Sequence, residues 1–191
     1  YAATLTDYGV RVEATAAPRS GLLRFTFPAS TTSRIQIDLA RRTGGTSTKQ
    51  RVRVAGDHAI EGWMECTPEG GGWGNGDGNA RYTVYFRAEF SKPLKDYGVW
   101  KASIPAGQSR KREAIESVAY DKLVARAGIL AQAVEVEGDH LGFFTEFPTT
   151  AGEVVTCKAG ISFTSIEGAR ANLATEIPGW DFDAVRAQAG A

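Results

Sequence analysis

Strict two-residue alternation constrains this chain more than any other feature. In YGVRVEATA, Val10, Val12 and Ala14 are interleaved with Arg11, Glu13 and Thr15. LLRFTFP sets Leu23, Phe25 and Phe27 against Arg24 and Thr26. RIQIDLA sets Ile35, Ile37 and Leu39 against Gln36 and Asp38, and QRVRVAG repeats the pattern at Val52 and Val54. A period of two sends one set of side chains to a buried face and the other to water. Pro18-Arg19-Ser20-Gly21, the stretch from Pro28 to Ser33, and Gly44-Gly45 separate the runs with turn-forming residues. Short half-buried strands at this spacing predict an all-β fold of antiparallel strands, a sandwich or a barrel.

The pattern continues through AIEGWMEC (59–66), RYTVYFRAEF (81–90), YGVWKASI (97–104), ILAQAVEVEG (129–138), LGFFTEF (141–147) and EVVTCKAGISF (153–163). That makes about eleven strand candidates and at most one helix before residue 164. Residues 104–128 show neither period cleanly and fit a long loop or a surface helix. No fixed-period repeat is evident, which argues against a propeller or solenoid. The positions predicted to face a sandwich core are Leu23, Phe25, Ile35, Ile37, Val84, Phe86, Phe90 and Phe163.

Composition excludes some partners. Lys+Arg and Asp+Glu are both 22, so the formal net charge is zero. A nucleic-acid-binding chain usually carries a basic excess. No apolar run approaches the roughly 20 residues of a membrane-spanning helix. Tyr1-Ala2-Ala3 begins inside a strand pattern with no signal peptide, as in a mature fragment or an excised domain. The only cysteines, Cys66 and Cys157, are either two buried thiols or a disulfide, and their number and spacing do not make a zinc site. His58 and His140 are the only histidines and read as solvated turn residues, in GDHA and GDHL. No G-x-S-x-G elbow and no H-E-x-x-H accompanies them.

The most unusual stretch is EGGGWGNGDGNA, residues 69–80, in which six of twelve residues are Gly. It has no Lys-Ser/Thr ending and is not a phosphate-binding loop. It reads first as a long hairpin connection. Asn75, Asp77 and Asn79 offer oxygens suited to a hard cation, and Trp73 offers a flat apolar surface suited to a sugar ring.

At Thr164 the period changes. Thr164 and Glu167 have capping-box spacing, and Ile166, Ala169, Leu173 and Ile177 follow at helical intervals until Pro178-Gly179. Asp181 or Asp183 is placed to cap a second short helix, DAVRAQA. These helices fit either a lid on a sheet edge or a linker to a helical domain.

The order of motifs resembles one family. KAGISFTSIEGARANLATEIPGWDFDAVRAQA is similar to the end of the N-terminal β-sandwich domain of glycoside hydrolase family 92, the calcium-dependent α-mannosidases. YTVYFRAEFSKPL resembles that domain's Y-F-x-A-E-F-S-K-P strand. GVRVEATAAPRSGLLRFTFP and RIQIDLA resemble its opening strands. Residues 104–128 have no match. The resemblance implies a two-layer antiparallel sandwich of the galactose-mutarotase-like supersandwich type over 1–163. It implies that 164–191 is a helical linker toward an (α/α)₆ catalytic barrel, with part of Ile166, Leu173, Ile177, Trp180 and Phe182 left to be covered by that barrel. It further implies inverting hydrolysis of α-mannosides, α-1,2-linked N-glycan mannose among them, in a secreted or periplasmic protein. That chemistry takes a general acid and a general base about 6.5–9.5 Å apart. In the family these carboxylates and the calcium ligands come from the barrel, so no catalytic residue, no metal ligand and no cofactor is assigned here. Trp73 stands where the family often has a Gly-Trp and is the one candidate for contact with sugar or barrel. The alternative is an autonomous carbohydrate-binding module.

Overall fold

The structure is a computed structural model that describes residues 1–42, 45–68, 80–102 and 126–190. The strands are β1 (Ala2–Leu5), β2 (Val10–Ala16), β3 (Ser20–Phe27), β4 (Ser30–Asp38), β5 (Arg41–Arg42), β6 (Gly45–Thr46), β7 (Lys49–Val54), β8 (Ala59–Cys66), β9 (Tyr82–Phe90), β10 (Asp96–Lys101), β11 (Gly128–Ala131), β12 (Glu135–Gly138), β13 (Leu141–Thr149) and β14 (Glu153–Ser162). Two helices follow, α1 (Ile166–Glu176) and α2 (Phe182–Ala189).

The predicted sandwich is present. An eight-stranded sheet in the order β1-β2-β3-β14-β9-β8-β7-β12 faces a four-stranded sheet in the order β11-β10-β13-β4, and β5 and β6 form a small ribbon. Every pairing is antiparallel. The alternation assigns the inner face correctly in most places. Phe27, Ile35, Val52, Ile60, Phe86, Phe90, Val99, Phe143 and Val155 form the central core, with Phe25 and Ile37 packed at its margin. Fully burying one such side chain stabilises by roughly 1.5–3 kcal/mol.

ILAQAVEVEG is two strands rather than one. Gln132 adopts a left-handed backbone, φ 54°. On its two sides β11 joins β10 in one layer and β12 joins β7 in the other. The run lacks Gly or Pro at the break, so its pattern hides the crossing.

The helices cover the outer face of the eight-stranded sheet. Leu173, Ile177, Phe182 and Val185 bury Leu22 of β3 in a second apolar cluster. The expected unfilled surface on these helices is therefore largely absent: Leu173, Ile177 and Phe182 are buried on the domain's own sheet, while Trp180 keeps 40 % of its surface open. The cap of α1 is Ser165, one residue beyond Thr164. Its side chain accepts from the Gly168 N–H at 2.9 Å, and Thr164 instead shares a hydrogen bond with Ser162. Asp181 caps α2 through the Ala184 N–H. Gly160 lets α1 approach: a Cβ there would lie 2.6 Å from the Ala169 carbonyl and 2.7 Å from Leu173 Cβ.

Candidate functional site

The connections between strands are unequal, and the longest share one end. At one end the links are tight, spanning 6–9, 28–29, 55–58, 91–95 and 150–152. The long links, 39–48 with its ribbon, 67–81 and 102–127, all leave from the opposite end, because β4, β8 and β10 finish there. Loops that carry function are typically gathered this way on a rigid scaffold. Trp73, Asn75, Asp77 and Asn79, and the segment 103–125, lie on these links but outside the described residues.

A buried polar network holds the two layers together at this end. Gln50 of β7 donates through Nε2 to Ser47 Oγ at 2.8 Å and accepts through Oε1 from the Leu141 N–H of the other sheet at 2.9 Å. Ser47 Oγ donates to the Leu39 carbonyl, and the Ala40 N–H donates to Asp38 Oδ1. Burial pushes the Asp38 carboxyl up, opposed by the N–H groups and charge nearby. His140 belongs to this region and corrects the reading of a solvated turn residue. It is 2 % exposed, has a left-handed backbone (φ 51°), and its Nδ1 lies 2.8 Å from Asp139 Oδ1. The turn folds its imidazole inward.

At the same end the core is open. Along β14 the inner-face side chains change from buried, at Val155 and Cys157, to 38 % exposed at Ile161 and 65 % at Phe163 just beyond the strand. Leu23, in register with Cys157, is 37 % exposed. Leu23 and Phe163 thus depart from the predicted buried set. They occupy the inner face, as their period demands, but the four-stranded sheet is smaller than its partner and does not reach over them. Val84 is half-buried at this margin. Tyr82 packs edge-on against Phe163 with ring centroids 6.1 Å apart.

The outer face carries a charged cluster that the linear pattern does not announce. Glu61 of β8 is fully buried and receives Arg53 of β7, Arg87 of β9 at 3.2 Å, and Arg170 of α1 through Nε and Nη2 at 2.8 and 2.6 Å. Burial opposes its ionisation. The hydrogen bonds and charges of Arg170 and Arg53 outweigh that and hold its pKa at about 2. A carboxylate locked in this way cannot take up a proton near neutrality and is unsuited to general acid–base work. It is a clamp between sheet and helix. Beside it Lys158 is buried, donating to the Ile177 and Gly179 carbonyls at 3.0 and 3.4 Å beneath the Trp180 ring. Cys66 and Cys157 are buried unpaired thiols, and burial pushes Cys157 up to about 12. Among the described residues no three His, Cys, Asp or Glu side chains are grouped to hold a metal, and no helix is long and apolar enough to cross a membrane.

Fold and site together define a class: a β-sandwich module with helices packed on its back and its long connections gathered at one incompletely closed end. The family model described as the glycosyl hydrolase family 92 N-terminal domain matches residues 1–162. The chain belongs to that family, as its N-terminal domain. It is similar to the family GH92 α-mannosidase BT3965 of Bacteroides thetaiotaomicron, with 31% identity and a TM-score of 0.75 over 99% of this chain and 22% of that one. In fold it is similar to the GH92 inverting mannosidase BT2199 of Bacteroides thetaiotaomicron VPI-5482, at 18% identity and TM-score 0.71, covering 100% of this chain and 21% of that one. It also shares the fold of the GH92 glycosyl hydrolase ccman5, at 23% identity and TM-score 0.65, covering 95% and 20% of the two chains. The chain therefore spans about a fifth of the length of these proteins. No curated protein matches it.

Proposed function

We propose that this domain is the sandwich part of a secreted or periplasmic α-mannosidase that releases mannose from α-mannosides with inversion. The single observation that carries this reading is the family match over residues 1–162, joined to 31% identity with an α-mannosidase over 99% of the chain. In this role the domain forms one wall of the substrate cleft. Its loop-bearing end faces the catalytic domain, and Trp73 is the residue offered to sugar or to that domain. The inverting acid–base pair and the calcium site belong to the catalytic domain. Glu61, held ionised by its arginines, is unsuited to acid–base work, and no step of the reaction is assigned to this chain.

The test is a paired assay. The longer polypeptide carrying this domain is expected to release mannose from an α-1,2-mannobioside as the β-anomer, and to lose activity on calcium chelation. The 191-residue chain alone is expected to release none, with or without calcium. Turnover by the isolated chain would overturn the assignment of catalysis elsewhere. Retention of the isolated chain on mannan, with no hydrolysis by the longer polypeptide, would favour the autonomous binding module.

A further inference from the structure

We propose that Arg53 and Arg170, on the outer face of the eight-stranded sheet, form a binding site for a small oxyanion such as phosphate. The site is independent of the mannosidase reading. Register and helix docking bring the pair together. Arg53 of β7 and Arg87 of β9 flank Glu61 of β8 in one row across the sheet. Arg170 reaches the same carboxylate from α1. Arg53 and Arg170 both donate to one oxygen, Oε1, so their charged ends are held side by side. Glu61 is fully buried and gripped by three guanidinium groups. A ligand that meets the pair therefore spends little on ordering it.

Neither charge nor hydrogen bonding is balanced there. The neighbouring carboxylates are engaged: Glu89 bonds Arg87 and faces Lys158, and Glu135 bonds Arg51. Glu167 adds its charge to Arg170 from one turn earlier on α1. Five cations, Arg51, Arg53, Arg87, Arg170 and Lys158, thus meet four carboxylates, Glu61, Glu89, Glu135 and Glu167. Arg53 meets Glu61 through Nη2 alone, and Arg170 through Nε and Nη2. Among the described residues, Nε and Nη1 of Arg53 and Nη1 of Arg170 donate to no acceptor. The two side chains keep 44% and 43% of their surface open, so a solute can approach them. Planar guanidinium forks match the oxygens of a phosphate group, and such charge-assisted bonds are about twice as strong as neutral ones. An oxyanion bridging the two forks would take up the unused N–H groups and screen two cations that share one oxygen. A neutral ligand would not screen them, and a metal cation would be repelled. Because Arg53 lies on β7 and Arg170 on α1, the anion would also tie the helix to the sheet.

The test is a titration of the 191-residue chain with inorganic phosphate at pH 7, chloride being exchanged for phosphate so that ionic strength and general screening stay constant. Arginine Nε–Hε resonances report binding directly. Those of Arg53 and Arg170 are expected to shift together and to saturate, and amide exchange is expected to slow more over 166–176 than over β13. Arg53→Gln and Arg170→Gln are each expected to weaken the apparent affinity at least about tenfold, since each removes charge-assisted bonds to the anion. Glu61 keeps two arginines in either variant, and circular dichroism checks the fold. Arg51→Gln removes the same charge from the same face of β7, two residues away, and is expected to leave the affinity unchanged. The wild-type spectrum decides the matter even without the variants. Shifts that stay linear in phosphate, or that spread equally over Arg51 and Arg186, would overturn the proposal, because they describe loose accumulation at exposed cations. Equal weakening by Arg51→Gln would overturn it as well, since net charge alone would then account for the binding. Methyl phosphate, run beside inorganic phosphate, separates two sources of the group. Equal saturable binding of both supports a site for a phosphate ester carried on a larger molecule, and saturable binding of inorganic phosphate alone supports a site for the free ion.

Discussion

Glu61 shows how much one side chain can hold. It joins two strands of the sheet to α1 through three guanidinium groups, two of them half-exposed. Removing one partner of a buried ion pair typically costs about 3–5 kcal/mol. Because Arg53 and Arg170 retain access to water, Glu61→Gln is expected to cost about 3 kcal/mol, at the low end of that range, in urea unfolding at pH 7. The pH dependence has a definite sign. The folded pKa of about 2 lies below the ordinary 4.5, so the stabilisation is complete above about pH 4.5 and drains away as the pH falls toward 2. Glu13, Glu89, Glu153 and Glu176 are shifted in the same direction. Urea midpoints between pH 5 and pH 2.5 are expected to fall more steeply for the wild type than for Glu61→Gln; parallel slopes would show that Glu61 does not report this linkage. None of this is legible from the linear pattern. Arg53, Glu61 and Arg87 read as solvent-facing members of alternating strands, and only the register, together with the helix laid across them, makes them a cluster.

The elements are more legible in the sequence than this cluster, and what stays hidden has one physical cause. Period two identifies strands such as β4 and β7, which have one wetter and one drier face, whereas β13 is buried on both faces over most of its length and reads as a near-continuous apolar run. The period could not show that β11 and β12 belong to different layers, since the turn at Gln132 carries no Gly or Pro. It placed Leu23 and Phe163 on the correct face but could not show how far the opposite sheet extends. The helices were legible from their spacing and caps to within one residue. Their destination was not, because Leu22 is a single apolar residue on an otherwise polar face of β3. The docking of α1 is open to test. Gly160→Ala would press a methyl into the helix backbone and is expected to cost about 1–3 kcal/mol. Leu173→Ala is expected to cost about 2–5 kcal/mol. In both variants amide exchange should rise first in 166–176 while β13 stays protected. A uniform rise across the domain would mean that helix and sandwich unfold as one unit.

At the scale of the whole molecule, the two ends of the sandwich have different characters. One is finished with short turns; the other gathers the long connections, the buried Gln50 network and the open corner. Gln50→Ala should expose this asymmetry. It removes the hydrogen bond between β7 and the Leu141 N–H of the facing sheet, leaves a buried donor unsatisfied, and is expected to cost about 1–3 kcal/mol. The loss should appear as faster exchange at Leu141 and Ser47 with little change near Thr150. Trp73 stands out by composition and lies outside the described residues, whereas the corner and the network depend on strand lengths and inter-sheet packing that no local pattern encodes.

The order of the eight-stranded sheet has a consequence for how the domain is made. Among the described strands β14, the last of the sandwich, is the one that lies between β3 and β9 and joins β1-β2-β3 to β9-β8-β7-β12. As the chain leaves the ribosome, β3 and β9 appear long before the strand that unites them and meanwhile offer bare edges to any neighbouring polypeptide. Closure waits for contacts of long sequence separation, which makes assembly slow and late. Nascent chains stalled before Glu153 should therefore stay sensitive to protease and prone to association. Chains stalled well past Ser162 should gain resistance in a single step, a birth order that makes the final strand the keystone of the sheet.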